Sequence, residues 1–164
     1  MDNDTHAQGC IYQEIKSRKG KWKTAPTPAF AKKRLIYQDG QNPFEEGTAR
    51  FAPTEKKPEK AFAQWIPHIP ETGEYAVYVT YQTLPGSVSD AKYLVFHKGG
   101  VTEFLVNQQI GGGTWVYLGT FEFDKGTNDY GMVVLSNESR QKGVVCADAC
   151  LLYTSPSPRD GLLS

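Results

Sequence analysis

The sequence predicts an all-β domain, an antiparallel β-sandwich, on three observations. Across residues 65–123 apolar and polar residues alternate in four runs, the pattern of strands with one buried and one solvated face. Pro, Gly and Asp punctuate these runs where turns are needed. No stretch shows a convincing apolar period of 3.6 residues, so no helix is expected.

Taken in chain order, residues 13–33 hold Lys16, Arg18, Lys19, Lys21, Lys23, Lys32 and Lys33 around Pro26 and Pro28. That composition suits an irregular, solvated wrap around a sheet. A short strand is expected at 49–52, then a charged, proline-containing loop at 53–60. A strand at 61–66 is closed, or placed at an edge, by Pro67 and Pro70, which have no N–H for a ladder. Thr72-Gly73 turns the chain into a strand at 74–82. Here Tyr75, Val77, Val79 and Tyr81 share one face, and Ala76, Tyr78 and Thr80 the other. The Val77/Val79 face is the expected core, which leaves Tyr78 toward solvent.

A loop at 84–91 leads to a strand at 92–97, and Lys98-Gly99-Gly100 forms a tight hairpin into 101–108. Gly111-Gly112-Gly113 reads as a flexible hairpin loop before a strand at 114–123. Alternation breaks near Gly119, and a bulge there restores it. A turn at 124–129 and strands at 130–136 and 143–149 complete the series. Trp65 and Trp115 lie inside alternating runs and are expected in the core.

A chain of 164 residues supports one core, and a single domain over residues 1–149 is expected. The remaining run, CLLYTSPSPRDGLLS at 150–164, resembles the translated read-through of a sequencing adapter and is expected to be a disordered tail. The chain carries 18 basic and 18 acidic residues. It therefore has no long-range field toward nucleic acid, even though Tyr12 and Trp22 interleave with the basic residues. No apolar run approaches the ~20 residues that cross a bilayer. Met1 precedes Asp2 and Asp4 rather than a basic and apolar leader, so no export signal is expected in the chain.

Catalytic patterns are absent from the sequence. His6, His68 and His97 are far apart, without the spacing of a metal site. No Gly-x-Ser-x-Gly elbow occurs, and the glycine run lacks the Lys-Ser/Thr and helix that cradle phosphate. Glu74, Glu103, Glu122 and Asp124 sit at exposed strand positions and are expected to be solvated rather than paired for glycoside hydrolysis. No cofactor is expected. Cys146 reads as an inert buried thiol, and spacing alone does not pair it with Cys10. Asp148, between two alanines, is expected to accept structural hydrogen bonds.

The blocks ARF, AQWIPHIPETGEYAVYVTYQ, KYLVFHKGGVTEFLVNQQIGGGTWVYLGTFEF, VVLSN and VVCADA follow one another with suitable gaps. In that order they resemble the golvesin and xanthan-lyase carbohydrate-binding-like domain. The resemblance implies a jelly-roll β-sandwich and a noncatalytic accessory module of a larger secreted bacterial enzyme acting on polysaccharide or peptidoglycan. The alternative it leaves open is a structural spacer or docking domain in a lyase or a zinc-dependent N-acetylmuramoyl-L-alanine amidase-like parent. The implied partners are a glycan and the parent's catalytic domain, and the implied location is secreted, periplasmic or at the cell surface. Sugars are gripped by flat rings under C–H faces and by planar polar groups bridging hydroxyls. The candidates are Tyr78, Tyr81, Tyr117 and Trp115 for stacking, with Trp115 weighed toward the core, and Asn107, Gln108, Gln109, Asn137 and Arg140 for hydrogen bonding.

Overall fold

A computed structural model describes residues 11–16, 21–29, 47–56 and 61–154. Every regular element among them is a strand: β1 (Ile11–Ile15), β2 (Lys23–Ala29), β3 (Gly47–Pro53), β4 (Phe62–Ile66), β5 (His68–Ile69), β6 (Gly73–Thr80), β7 (Ala91–His97), β8 (Gly100–Val106), β9 (Val116–Phe123), β10 (Gly126–Thr127), β11 (Met132–Ser136), β12 (Val144–Ala147) and β13 (Ala149–Thr154). A five-stranded antiparallel sheet runs β1-β4-β11-β7-β8. Two three-stranded sheets, β12-β3-β2 and β13-β6-β9, and the short β10-β5 ribbon complete the all-β fold.

Alternation sets the core. Trp65, Val133 and Val95 lie on one rung of the five-stranded sheet and Ala63, Leu135 and Tyr93 on the next, all fully buried. From the other sheets Val77, Val79, Tyr81, Phe123, Val145 and Cys146 join the same apolar cluster. Removing a ring such as Trp65 from a close-packed interior costs about 3–5 kcal/mol. Trp115, expected beside it, is only half-buried.

Three further features depart from the sequence reading. Residues 13–33 are not wholly irregular, because β1 and β2 are strands. Both lie at sheet edges, where lysine and proline are tolerated because one side of the backbone has no ladder to complete. The β2–β3 register shifts between Thr24 and Pro28, the segment that holds Pro26. The guanidinium of Arg50 on β3 donates to both carboxylate oxygens of Glu14 on β1, at 2.8 and 2.9 Å, tying the two sheets together. The second departure is at the other terminus. The ladder continues past Ala149, pairing Cys150 with Val79 and Thr154 with Tyr75, so residues 150–154 are strand rather than tail. Period two explains it: Cys150 is fully buried and Leu152 packs against the core, while Tyr153 faces solvent. Residues 155–164 lie outside the described residues.

Third, the three glycines form a close fit rather than a loose loop. Gly111 and Gly113 have φ of 76° and 81°, and a Cβ on Gly112 would sit 2.5 Å from the Thr83 nitrogen. Gly113 donates its N–H to the Tyr81 carbonyl at 2.8 Å. The bulge expected near Gly119 is present. Val77 pairs with Gly119 and Tyr78 with Tyr117, which leaves Leu118 as the extra residue. The ring of Phe121 lies where a Gly119 side chain would go, and it stacks on His97 at 4.7 Å between centroids.

Candidate functional site

The cross-strand register of β13, β6 and β9 builds a row of tyrosines. Tyr78, at the centre, faces Leu151 on β13 and Tyr117 on β9, and Tyr153 sits one rung along, opposite Ala76. Side chains two apart on a strand share a face, so Tyr78, Leu151, Tyr153 and Ala76 lie together on the side away from Val77 and Val79. The Tyr78 ring stands 5.3 Å from that of Tyr117 at 46°, and 5.8 Å from that of Tyr153 at 80°. Tyr117 and Tyr153 are 54% and 56% exposed, far above the core rings, and Tyr78 is half-buried between them. The Tyr117 hydroxyl is within 2.7 Å of the Thr120 hydroxyl. The bulge at Leu118 sets Tyr117 on the Tyr78 face. The result is a shallow aromatic shelf with phenol and threonine hydroxyls at its edge, able to stack on apolar faces and exchange hydrogen bonds.

Three of the expected ligand residues are structural instead. Gln108 is fully buried, and its side-chain amide pairs with the Cys146 backbone, Oε1 accepting from N–H at 2.8 Å and Nε2 donating to C=O at 2.9 Å. The same Nε2 donates to the Tyr93 hydroxyl at 3.0 Å. Asn137, also fully buried, accepts from Ala61 N–H at 2.7 Å and donates to the Pro53 carbonyl at 2.8 Å, clasping the ends of β4, β3 and β11. Tyr81 is buried with its hydroxyl directed at the carbonyls of Ile110 and Asn107, at 2.6 and 3.0 Å. Buried and turned to the backbone in this way, these side chains do not face the solvent from which a sugar would bind.

The other candidates do not converge on one place. Asn107 and Gln109 are exposed on the loop that leads to β9, where Asn107 Oδ1 accepts from the Gln109 N–H at 3.0 Å. Arg140 lines a separate groove of about 610 Å³ with Lys56, Asp90, Lys92, Glu103 and Glu138. Its backbone N–H donates to Asp90 Oδ2 at 3.1 Å, and Ser139 donates to the other oxygen of that carboxylate. Lys92 bridges Glu138 and Glu103, and hydrogen bonding to Glu138 foremost holds its ammonium above the ordinary lysine value. These six side chains bring equal numbers of opposite charges, so the groove has no net attraction for an anion. Tyr153 lies in the segment whose composition resembles a tail, although the parity of Cys150, Leu152 and Tyr153 marks a strand.

No group of three or more His, Cys, Asp or Glu side chains among the described residues is placed to hold a metal ion. Asp148, buried where β12 passes into β13, accepts from Gln82 Nε2 at 3.3 Å. No helix among the described residues is long and apolar enough to cross a membrane.

Comparison with known proteins agrees with this architecture. A xanthan lyase of Bacillus sp. (strain GL1) is 33% identical over 87 residues, covering 52% of this chain and 9% of that protein. The solved Paenibacillus xanthan lyase superposes on 95% of this chain with a TM-score of 0.68 at 24% identity, and 13% of that chain is covered. The chain thus spans about a tenth of the length of these relatives. The family model of the Golvesin C-terminal domain matches residues 38–154, and the chain belongs to that family.

Proposed function

We propose that this domain is a noncatalytic accessory module of a larger, secreted polysaccharide- or peptidoglycan-active protein, and that the Tyr78, Tyr117 and Tyr153 shelf holds the glycan. The observation that carries the reading is the row of three adjoining rings on a solvated sheet face, two of them more than half exposed. Exposed rings this close together are unusual on a surface without a ligand, since burying aromatic area is favourable. The relation to xanthan lyases supports a polymer partner. A neutral chain also suits a ligand recognised by stacking and hydroxyl contacts rather than by charge. Tethering such a module to a catalytic domain raises the local concentration of substrate without any chemistry of its own.

Affinity electrophoresis of the chain through gels of xanthan, peptidoglycan fragments and plant polysaccharides tests the reading. Retardation in at least one gel, lost in Tyr117→Ala, is the expected result. Unretarded migration in all of them would remove the glycan role.

A further inference from the structure

The outward face of the five-stranded sheet is apolar where a solvated face should be polar. Three rungs define it. Ile11 faces Ile66 on the first, and Met132, Phe96 and Val101 continue the same end of the sheet. Gln13, Gln64, Val134, Leu94 and Glu103 form the second, and Ile15, Phe62, Ser136, Lys92 and Leu105 the third. The exposed apolar side chains lie on the two edge strands, Ile11 and Ile15 at 44%, Val101 at 56% and Leu105 at 62%, while Ile66, Val134 and Ser136 between them are buried. Gln13 donates to Gln64 at 2.5 Å, and Lys92 is engaged with Glu103 and Glu138, so the polar side chains on this face are turned to one another. The central strand β11, MVVLS, shows the continuous apolar run of a strand covered on both sides.

From this face we infer a docking surface for another domain of the same polypeptide. The size of the face argues for that occupant over a second copy of the chain. Five strands at ~4.8 Å and five residues at ~3.4 Å give roughly 400 Å² a side. Independent molecules that associate stably bury about 800 Å² each, whereas domains joined in one chain pack through roughly 600–1,500 Å² in total because the tether supplies the concentration. The relatives carry the matching domain within polypeptides of which it is about a tenth. The facing surface is expected to be aliphatic opposite Ile11, Ile15, Phe96 and Val101, and polar where Lys92, Glu103 and Leu105 border the charged groove. The inference shares with the functional reading the premise of a larger protein, and it does not depend on the tyrosine shelf, which lies on a different sheet.

The test compares the chain alone with a longer polypeptide that carries it together with its neighbouring domain. Alone, the chain should sediment as a monomer at micromolar concentration, and carbene footprinting should label Ile15, Val101 and Leu105. In the longer polypeptide their labelling should fall several-fold while Tyr117, which is exposed on the β13-β6-β9 sheet, keeps its label. The double variant V101K/L105Q changes only exposed side chains and sets no like charge opposite Lys92, so it should leave the melting temperature of the chain alone unchanged. In the longer polypeptide the same variant should restore the labelling of Ile15 and lower the domain's melting temperature to that of the isolated chain. Unchanged labelling in the longer polypeptide or a concentration-dependent dimer of the chain alone would each overturn the inference. Polymer retention by the isolated chain reports on the tyrosine shelf separately.

Discussion

Gln108 completes the backbone of Cys146 as a neighbouring strand would. Its amide oxygen takes the Cys146 N–H and its amide nitrogen gives to the Cys146 carbonyl, at 2.8 and 2.9 Å, in a fully buried site. Gln108→Ala leaves three buried polar groups without this partner, including the Tyr93 hydroxyl. The expected cost is roughly 2–4 kcal/mol, read as a lower urea midpoint. Gln108→Glu should cost at least as much, because it removes the donor and buries a carboxylate. A shift below half a kcal/mol for Gln108→Ala would show that the rung is dispensable.

Arg50 holds the N-terminal strand to the sandwich. Its guanidinium makes a two-pronged contact with Glu14 and also donates to the Thr24 hydroxyl and the Trp22 carbonyl, at 2.8 and 3.0 Å. Charge-assisted, partly buried contacts of this kind are stronger than exposed ion pairs. Arg50→Ala should destabilise by about 2 kcal/mol and raise amide exchange in β1 before the rest of the five-stranded sheet. Exchange that rises uniformly would argue against a local clasp.

The glycines separate by what surrounds them. A Cβ at Gly112 would meet the Thr83 nitrogen at 2.5 Å and the backbone there cannot give way cheaply, whereas Gly73 has nothing within 4 Å and an ordinary backbone. Gly112→Ala should therefore lower the melting temperature by several degrees, and Gly73→Ala should leave it nearly unchanged. Equal effects would contradict the close approach.

Burial pushes the Cys146 and Cys150 thiols up to about 12 from an ordinary value near 9, and raises the Tyr93 phenol well above its ordinary value. Each is protonated in the fold at pH values where the unfolded chain has begun to ionise. The folded state then binds more protons, and stability falls as pH rises. These groups leave the urea midpoint unchanged near neutral pH, and it should decline between about 9 and 12, with a shallower decline in Cys146→Ala. At neutral pH both thiols should resist alkylation in the folded protein and react in urea.

The tyrosine shelf is tested ring by ring. Tyr117→Ala and Tyr153→Ala should each weaken polymer retention about tenfold or more while shifting the melting temperature by no more than a few degrees, because both side chains are largely exposed. Tyr78→Ala should lose retention and some stability together, since its ring is half-buried between the other two.

Period-two patterning carried most of the fold. The parity of Tyr75 through Tyr81, the hairpin after His97 and the bulge beside Gly119 were readable because each depends on residues close in sequence. The N-terminal strands were not, because lysine and proline mark a sheet edge as readily as a loop. The same limit governed the amides. Whether Gln108 or Asn137 meets solvent is decided by Cys146, Pro53 and Ala61, which lie 38 to 84 residues away in the chain. Parity turns Tyr78 away from Val77 and Val79, whereas Tyr117, which shares a parity with Trp115, comes beside it only through the bulge, and Tyr153 completes the row from a segment whose composition hid its alternation.

Where the final strand passes Asp148, the polypeptide changes neighbour, leaving β3 and joining β6. Those closing residues act like the last teeth of a zip: main-chain groups do the fastening, and only the inward positions at Cys150 and Leu152 need to be greasy. Many different endings can fasten this seam. A product cut at Ala149 should leave an open selvedge along Val77 and Val79 that recruits strands from other molecules, and so precipitate as it refolds.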